Sequence, residues 1–477
     1  MLPIVLVCAN AGQPQPPEVP REFRAVWIAT VDHIDWPPRN TLVPEAQKAD
    51  LIRILDKVAS LKLNTVIFQV RPAADALYRS PIEPWSEYLT GRQGLAPSPM
   101  YDPLEFAIQE AHKRGLQIQA WFNPYRAEFL SAKSPLAPNH IAKTHPELVK
   151  RYADLLWMDP GEPRVQSRSL AVILDVVKRY DIDGVHLDDY FYPYPEGGKS
   201  FPDDNSYARY GDGLSKLDWR HRNVDNFIAR LSQGIHSEKP WVEFGISPFG
   251  IYRPGVPAGI KAGVDQYNEL SSDPVKWLQQ GWCDYLSPQL YWPIDQQAQS
   301  FPRLLDWWRS QNTLNRHLWP GLYTSRVLAV RKGFTAQEVV RQVQLTRLGT
   351  NDPGHIHFSM KALADDGKGI DEYLLGSCYQ NYALAPASPW LDSRIPAAPE
   401  LTPGQNGRVT WPKDTTGNFS NYVLEARFGT RWQYQILPGD ASTVDLVPTL
   451  ASGKLNRVAI AAVSRTGVRG KYATLDF

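Results

Sequence analysis

Eight short runs rich in β-branched and aromatic residues recur along the chain, at 24–30, 64–70, 117–123, 183–189, 241–247, 284–291, 317–323 and 355–359. Amphipathic stretches separate them, at 46–61, 104–114, 165–180, 219–236 and 336–348. Gly115, Gly281 and Gly349 stand where helices should stop. Strands that alternate with helices build a parallel sheet, since each helix carries the chain back to the edge where the next strand starts. Eight such units close the sheet into a (β/α)8 barrel of the TIM type. The competing arrangement is a doubly wound open sheet. No G-x-G-x-x-G or P-loop follows a strand, which removes nucleotide binding as a reason for that alternative. The predicted barrel runs from 21 to 384.

The pattern changes after Tyr382. Residues 385–399 are rich in Pro and Ala and are expected to be a linker. From 400 to 477, short strand-like runs at 407–411, 422–428, 433–437, 443–446 and 457–464 alternate with turn residues, the mark of a small all-β sandwich. With Trp411 and the Tyr422-Val423-Leu424 strand, it resembles a fibronectin type III module. The barrel is expected to fold without this module, which would serve as a spacer or a contact to the cell wall or a division protein. At the other end, Met1–Cys8 is apolar and Ala9-Asn10-Ala11 has the A-x-A form of a signal-peptide cleavage site. A Pro-rich spacer follows at 13–20. Val7 is bulkier than the residue a lipoprotein site prefers before its cysteine. An exported, soluble protein of the periplasm or cell envelope is expected, and no run of 18 apolar residues is present to span a membrane.

Composition narrows the function. Lys and Arg total 51 against 50 Asp and Glu, so the chain lacks the basic excess of a nucleic-acid binder. Three cysteines exclude a disulfide scaffold and a multi-cysteine zinc site. The absence of a G-x-S-x-G elbow argues against a serine hydrolase. The 16 tryptophans tilt the reading toward sugars, whose CH faces stack on flat rings.

Side chains alternate in and out along a barrel strand, and the outward set must be apolar to meet the helices. That rule turns Gln69 and Arg71 inward on the second strand, Gln119, Trp121 and Asn123 on the third, and His186, Asp188 and Tyr190 on the fourth. It turns Glu243, Gly245 and Ser247 inward on the fifth, and Ser287, Gln289 and Tyr291 on the sixth. On the eighth, Ile356 and Phe358 are expected outside, with His357 and Ser359 inside. Such an interior is far more polar than a barrel filled for stability alone, and buried polar groups are costly unless bonded. A polar site at the C-terminal strand ends follows.

The sharpest motif is Asp183-Gly184-Val185-His186-Leu187-Asp188-Asp189-Tyr190. It places Asp188 inward, at the strand end where barrel catalysts sit, and Asp189 toward the loop. Paired carboxyl groups cleave glycosidic bonds as acid, base or nucleophile. Glu243 is expected at the barrel floor in a structural role, so a further carboxylate would come from a loop: Asp32 or Asp35, Asp75, or Asp295. Aromatic and amide groups cluster at the strand ends, in Trp27, Trp36, 121–126 (WFNPYR), 190–194 (YFYPY) and 289–293 (QLYWP). Catalytic candidates are Asp188, Asp189 and Asp35. Binding candidates are Trp27, Arg71, Asp75, Trp121, Asn123, Arg126, His186, Tyr190, Gln289, Tyr291 and Trp292. Arg71 and Arg126 would each clamp an anionic group or sit in an internal salt bridge. The pair His355 and His357 is read as hydrogen-bonded interior histidines, and no metal or cofactor is expected.

The segments RAVWIAT with DWP (24–30, 35–37), NTVIFQVR (64–71), AHKRG (111–115), WFNPYR, DGVHLDDYFYP (183–193), EFGISPFG (243–250) and SPQLYWP (287–293) resemble glycosyl-hydrolase-like family 10. The resemblance spans roughly residues 22–380. It implies a (β/α)8 barrel, export, and hydrolysis of bacterial cell-wall glycan. One such enzyme acts at the division site on peptidoglycan strands stripped of their stem peptides. The lactyl carboxylates of such strands would suit Arg71 or Arg126. The fourth-strand motif also resembles the D-G-x-D-x-D-x-E of chitinases, but Tyr190 stands where their acid would be, so their substrate-assisted mechanism does not carry over.

Overall fold

The structure, a computed structural model, describes residues 5–6, 15–40, 43–129 and 132–477. Ala9-Asn10-Ala11 and Cys8 lie outside the described residues. Among the described residues of the barrel, eight strands alternate with eight principal helices: β1 (Phe23–Ile28), α1 (Pro44–Ser60), β2 (Thr65–Arg71), α2 (Pro103–His112), β3 (Gln117–Phe122), α3 (Pro163–Arg179), β4 (Gly184–Leu187), α4 (Lys216–Glu238), β5 (Glu243–Ile246), α5 (Pro274–Gln279), β6 (Tyr285–Leu286), α6 (Phe301–Gln311), β7 (His317–Leu318 with Gly321–Leu322), α7 (Ala336–Thr346), β8 (Gly354–His357) and α8 (Ile370–Ser377). Four of these helices start with Pro at their first position and α6 carries Pro302 at its second, within the first turn, where a missing N–H costs nothing.

Every pairing in the barrel sheet is parallel, in the order β6-β5-β4-β3-β2-β1-β8. β7 closes the ring in two pieces. His317–Leu318 pairs with β6 and Gly321–Leu322 pairs with β8. Pro320 lies between them and has no N–H for a continuous ladder. The fold is therefore the (β/α)8 barrel.

Inside the ring the layers differ. Phe23, Ala25, Trp27, Ile67, Trp121, Tyr285, Trp319 and Ile356 form one buried cluster, with Trp319 stacked on Phe23 at 3.9 Å between centroids. The interior is thus polar on β2 to β5 and largely aromatic elsewhere. Gly245 makes the crossing of the barrel possible. A methyl group there would meet the ring of Tyr285 at 1.8 Å, so only glycine lets the phenol reach the axis.

β8 departs from the expected parity. A side chain at Gly354 would strike Trp319 and Phe23, so Gly354 faces in and Ile356 follows it. His355 and His357 consequently point out, toward the helices. Their Nε2 atoms meet the Tyr379 hydroxyl, while the Nδ1 of His357 meets Thr324 at 2.6 Å. They are hydrogen-bonded, as expected, but outside the ring. The short alternation on β8 contained no charged residue to mark its outer face.

The C-terminal module is built of antiparallel strands. Phe419–Phe428 lies between Arg431–Pro438 and Gly453–Ser464, and a smaller sheet joins Thr402–Pro403, Arg408–Thr410 and Thr443–Asp445. Val409, Trp411, Tyr422, Leu424, Phe428, Val458 and Ile460 form the core between them. Val423, Tyr434 and Val463, on the opposite face, pack on Val19 and Leu384. Arg465 reaches Asp181 at 2.8 Å and Asp183 at 2.9 Å, beneath the start of β4. Burial pushes the Asp183 carboxyl up, but His112 and Arg465 hold it at about 2.

The segment expected to be a linker is packed instead. Ser388 is fully buried at the barrel floor, where its hydroxyl donates to Glu243 at 2.5 Å and lies 3.1 Å from His317. Trp390 donates its indole N–H to Asp284 at 2.8 Å. Pro and Ala favour extended, unpaired backbone, and here that backbone seals the N-terminal end of the ring. These contacts weigh against the expectation that the barrel folds without its C-terminal residues. Removing Ser388 leaves buried acceptors unpaired, at a cost of roughly 1–3 kcal/mol for a single lost partner. Ser388→Ala in the full chain should lower the unfolding midpoint measurably. A chain ending at Pro386 should expose apolar surface to a reporter dye, and an unchanged melting temperature in that truncation would refute the seal.

Candidate functional site

At the opposite, C-terminal end of the ring, β4 delivers Asp188 onto the axis. The residue is only 4% exposed. Its Oδ2 accepts from the indole N–H of Trp121 at 3.2 Å and, more closely, from the amide of Asn123. Its Oδ1 has one long contact, 3.4 Å from the N–H of Tyr190. Burial pushes the Asp188 carboxyl up to about 7, with the neighbouring charge of Asp189 adding to the effect and Arg126 opposing it. At neutral pH the group is therefore poised between acid and carboxylate. Since Oδ2 already accepts two donors, the proton belongs on Oδ1.

Asp189 turns away toward the loop, as its parity requires. Its Oδ2 accepts from the Tyr194 hydroxyl, and Gln289 supplies a further hydrogen bond. Burial raises its pKa too. Two adjacent buried carboxyls resist simultaneous ionisation, so the pair holds a proton that a lone surface Asp would have lost.

An amide chain supports Asp188 from the side. Asn123 Oδ1 accepts from Gln69 at 2.6 Å and from Arg126 at 2.8 Å. Gln69 is in turn fixed by the backbone N–H groups of Thr30 and Val31, at 2.8 and 2.9 Å. Arg126 donates its Nε to the carbonyl of Pro72 and lies over the rings of Phe129 and Tyr190.

Half-buried aromatic side chains surround this centre. Tyr291 packs near Tyr323 and Phe358, while Trp292 meets Phe249, which in turn meets Tyr194. Tyr190 packs against Tyr194. Sequence reasoning named Tyr190, Tyr291 and Trp292 as binding candidates, turned Gln69 inward and placed Tyr194 in the 190–194 cluster, but it named neither Phe249 nor Tyr323 as a candidate and expected Phe358, which packs on Trp27, outside the ring. Phe249 follows β5 within Ser247-Pro248-Phe249-Gly250, so its position beyond a strand end was the available signal.

Several candidates belong elsewhere. Arg71 is completely buried and forks onto Glu83 at 2.6 and 2.7 Å, with its remaining nitrogen on the Asn123 carbonyl. It is an internal ion pair and has no edge left for an anion. His186 lies below Asp188, fully buried. Its Nε2 accepts from Trp27 at 3.1 Å and Ser247 at 3.0 Å, and its Nδ1–H donates to Tyr285 at 2.6 Å. Burial drives its pKa down to about 3, so it stays neutral. Trp27 is 2% exposed and packs on His186 and Phe358, part of the interior and no stacking platform.

The loop carboxylates are likewise accounted for. Asp35 Oδ2 accepts from the Ala29 N–H, and its Oδ1 accepts from Ser359 and the Lys361 N–H, which anchors the first turn of helix Met360–Ala364. Burial holds it at about 6 despite those bonds. Asp75 is buried beside Gln93 and the Ala73 N–H, in the loop after β2, and burial raises it to about 7. Asp295 is exposed and 3.5 Å from Arg341, and Asp32 is exposed. None of the four approaches Asp188 through a hydrogen bond. Glu243 sits at the floor and is raised to about 8 by burial. Among the described residues, no group of three or more His, Cys, Asp or Glu is arranged to hold a metal ion.

Comparison with known proteins bears on this geometry. The profile of the family described as Glycosyl hydrolase-like 10 matches residues 22–334. The chain is 43% identical over 415 residues to Glycosyl hydrolase YngK of Bacillus subtilis (strain 168), across 83% of this chain and 80% of that one. It is 38% identical over 330 residues to Glycosyl hydrolase DigH of Escherichia coli (strain K12), across 64% of this chain and 74% of that one. Among solved structures, the PgaB (BpsB) glycoside hydrolase domain from Bordetella bronchiseptica superposes with a TM-score of 0.46 and 14% identity, over 74% of this chain and all but 1% of that domain (99% covered).

The raised Asp188 carboxyl has a consequence for stability. The folded state keeps this proton between about pH 4 and pH 7, whereas the unfolded chain releases it near the ordinary Asp value of about 3.9. Folding stability is therefore lost as pH rises across that window. An amide at this position carries no such cost, and its oxygen still accepts from Trp121 and Asn123. Asp188→Asn should stabilise the fold, and by roughly 2 kcal/mol more at pH 8 than at pH 5. Denaturant melts of both proteins at the two pH values check this, and equal differences would exclude the raised carboxyl.

Proposed function

The chain belongs to the glycosyl hydrolase-like 10 family, and we propose that it is an exported glycoside hydrolase of bacterial cell-wall glycan, with peptidoglycan strands stripped of their stem peptides as substrate. The observation that carries this reading is the Asp188 carboxyl, poised near neutrality with its Oδ1 free of strong donors beneath a mouth of aromatic rings. A general acid works best with a pKa near the working pH. Asp188 protonates the departing glycosidic oxygen, and Asp189, tethered by Tyr194, supplies the second carboxyl of the pair. Tyr190, Tyr291, Trp292 and Phe249 offer ring faces for sugar CH groups.

Arg126 is the guanidinium coupled to both carboxyls, and with Arg71 committed to Glu83 it is the cation we assign to a lactyl carboxylate. Export is supported by the A-x-A pattern at the N-terminus. The C-terminal module, which we read as fibronectin type III-like, leaves the C-terminal strand ends uncovered and would meet wall polymers or division proteins with its outer face. A second reading is a glycan-binding barrel without turnover. It is favoured by the engagement of Asp35 and Asp75 in bonds of their own, which leaves Asp188 and Asp189 as the carboxyls at the centre.

Purified protein should release fragments from sacculi pretreated with an amidase and leave intact sacculi and neutral glucans nearly untouched. Equal release from intact sacculi would overturn the substrate. Asp188→Asn should lower turnover by about 10²–10⁴-fold while glycan binding persists. Binding without turnover in the unaltered protein would establish the second reading.

A further inference from the structure

We propose that Gln69 is a positioning residue that dictates the orientation of the Asn123 amide, and so decides which oxygen of Asp188 carries its proton. The inference rests on Asp188 acting as the acid, but the geometry it invokes exists whether or not glycan is cleaved.

The argument starts from backbone groups, which cannot rotate to suit their neighbours. The N–H groups of Thr30 and Val31 both point at one terminal atom of Gln69, at 2.8 and 2.9 Å. That atom must be the carbonyl oxygen, because an amide NH₂ cannot accept. The Gln69 NH₂ therefore faces Asn123, at 2.6 Å. A donor there requires an oxygen opposite it. The Arg126 guanidinium has only donors and meets the same atom at 2.8 Å, which makes the same demand. Asn123 is left with its NH₂ turned to Asp188 Oδ2, alongside the Trp121 indole N–H. Two donors on Oδ2 exclude a proton from that oxygen, so the acid form carries it on Oδ1. The proton position at the centre is thus written by the loop after β1, through two amides.

Other charged and titratable groups face Asp188 as well. Asp189, Tyr190 and Tyr194 come from its own strand end and loop, Arg126 from the segment after β3, and Tyr291 from that after β6. A change at Gln69 must be separated from their field. Gln69→Glu keeps the shape and both backbone bonds, but its second oxygen faces Asn123 with no hydrogen to give. Arg126 Nη2, which shares the Asn123 Oδ1 acceptor with Gln69 in the parent, should pair with the new carboxylate oxygen instead, so that the Asn123 amide is free to turn over, present its oxygen to Asp188 Oδ2 and move the proton to Oδ2.

The test is infrared spectroscopy of the protonated Asp188 carboxyl, isolated by subtracting the spectrum of Asp188→Asn. In the parent protein the C=O is Oδ2 and accepts two hydrogen bonds, so its band is low. In Gln69→Glu the C=O becomes Oδ1, nearly free, and the band should rise in frequency. The added charge alone would lift the titration midpoint, by roughly one pH unit, without moving the band. A raised midpoint with an unmoved band overturns the proposal. On amidase-treated sacculi the variant should lose about 10²-fold in kcat with little change in KM. If the parent cleaves no glycan, the proposed function fails and the infrared result still judges the relay. Should Gln69→Glu not fold, the parent protein labelled with [15N]Asn decides. The Asn123 side-chain protons, assigned with Asn123→Ser, should shift as Asp188 titrates and remain still in Asp188→Asn. Protons that ignore that titration would overturn the relay.

Discussion

The phenol of Tyr285 crosses the barrel axis over Gly245, and the polar interior depends on that crossing. Its oxygen accepts from His186 Nδ1–H, and its hydrogen goes to the Gln119 carbonyl. Gln119 then donates to Glu243 at 3.4 Å. Above, Trp27 and Ser247 donate to His186 Nε2. Each step fixes the next, since a neutral imidazole with two donors at one nitrogen must carry its own hydrogen on the other. The result is a directed chain of donors running from the C-terminal end of the ring toward its floor. Substituting any residue with a side chain at Gly245 would drive the phenol off the axis and leave several buried polar atoms unpaired.

Burial alone does not mark a functional carboxyl here. Asp75, Asp188 and Glu243 are all buried and all titrate well above an ordinary Asp or Glu, at about 7, 7 and 8. The difference lies in what surrounds their oxygens. Asp75 is enclosed by Gln93 and the loop after β2, and Glu243 is capped by Ser388. Glu243 has one oxygen with only a long 3.4 Å contact, as Asp188 does, and each of the three has a like charge nearby, but among them Asp188 stands at a C-terminal strand end among half-buried rings. A raised pKa locates buried acids, and position in the ring, at the C-terminal strand ends or at the floor, separates Asp188 from Glu243.

Much of this was legible in the sequence because the barrel imposes a strict alternation. On β2 to β5 the outward residues, such as Val66, Phe68, Ile118, Val185 and Phe244, sit in the layer shared with the helices. Asp188, Asn123 and Trp121 were on the inward list and lie together around one oxygen. What failed to show was pairing between distant segments. Glu83 is twelve residues beyond Arg71 and carries no pattern that announces their fork. Ser388 lies 145 residues beyond Glu243, inside a stretch whose Pro and Ala content reads as linker. On β8, Gly354 sets the parity through its clash with Trp319, a contact that no local period encodes.

The two ends of the ring are finished in opposite ways, and that asymmetry follows from one constraint. A parallel barrel leaves open ladder groups and polar side chains at both ends, and each must meet a partner or water. At the N-terminal end Ser388, Trp390 and Arg465 meet Glu243, Asp284 and Asp183, so polar groups there are paired by protein. Among the described residues, the loops at the C-terminal end bring rings and no such plug, and Asp188 and Asp189 are bonded by Asn123, Trp121, Tyr194 and Gln289, with a long contact from the Tyr190 N–H. A floor closed by protein caps the axial hydrogen-bond chain that orients His186 beneath Asp188, while burial keeps that imidazole neutral. The carboxyl pair can then keep an approach from above while its supports below remain dry.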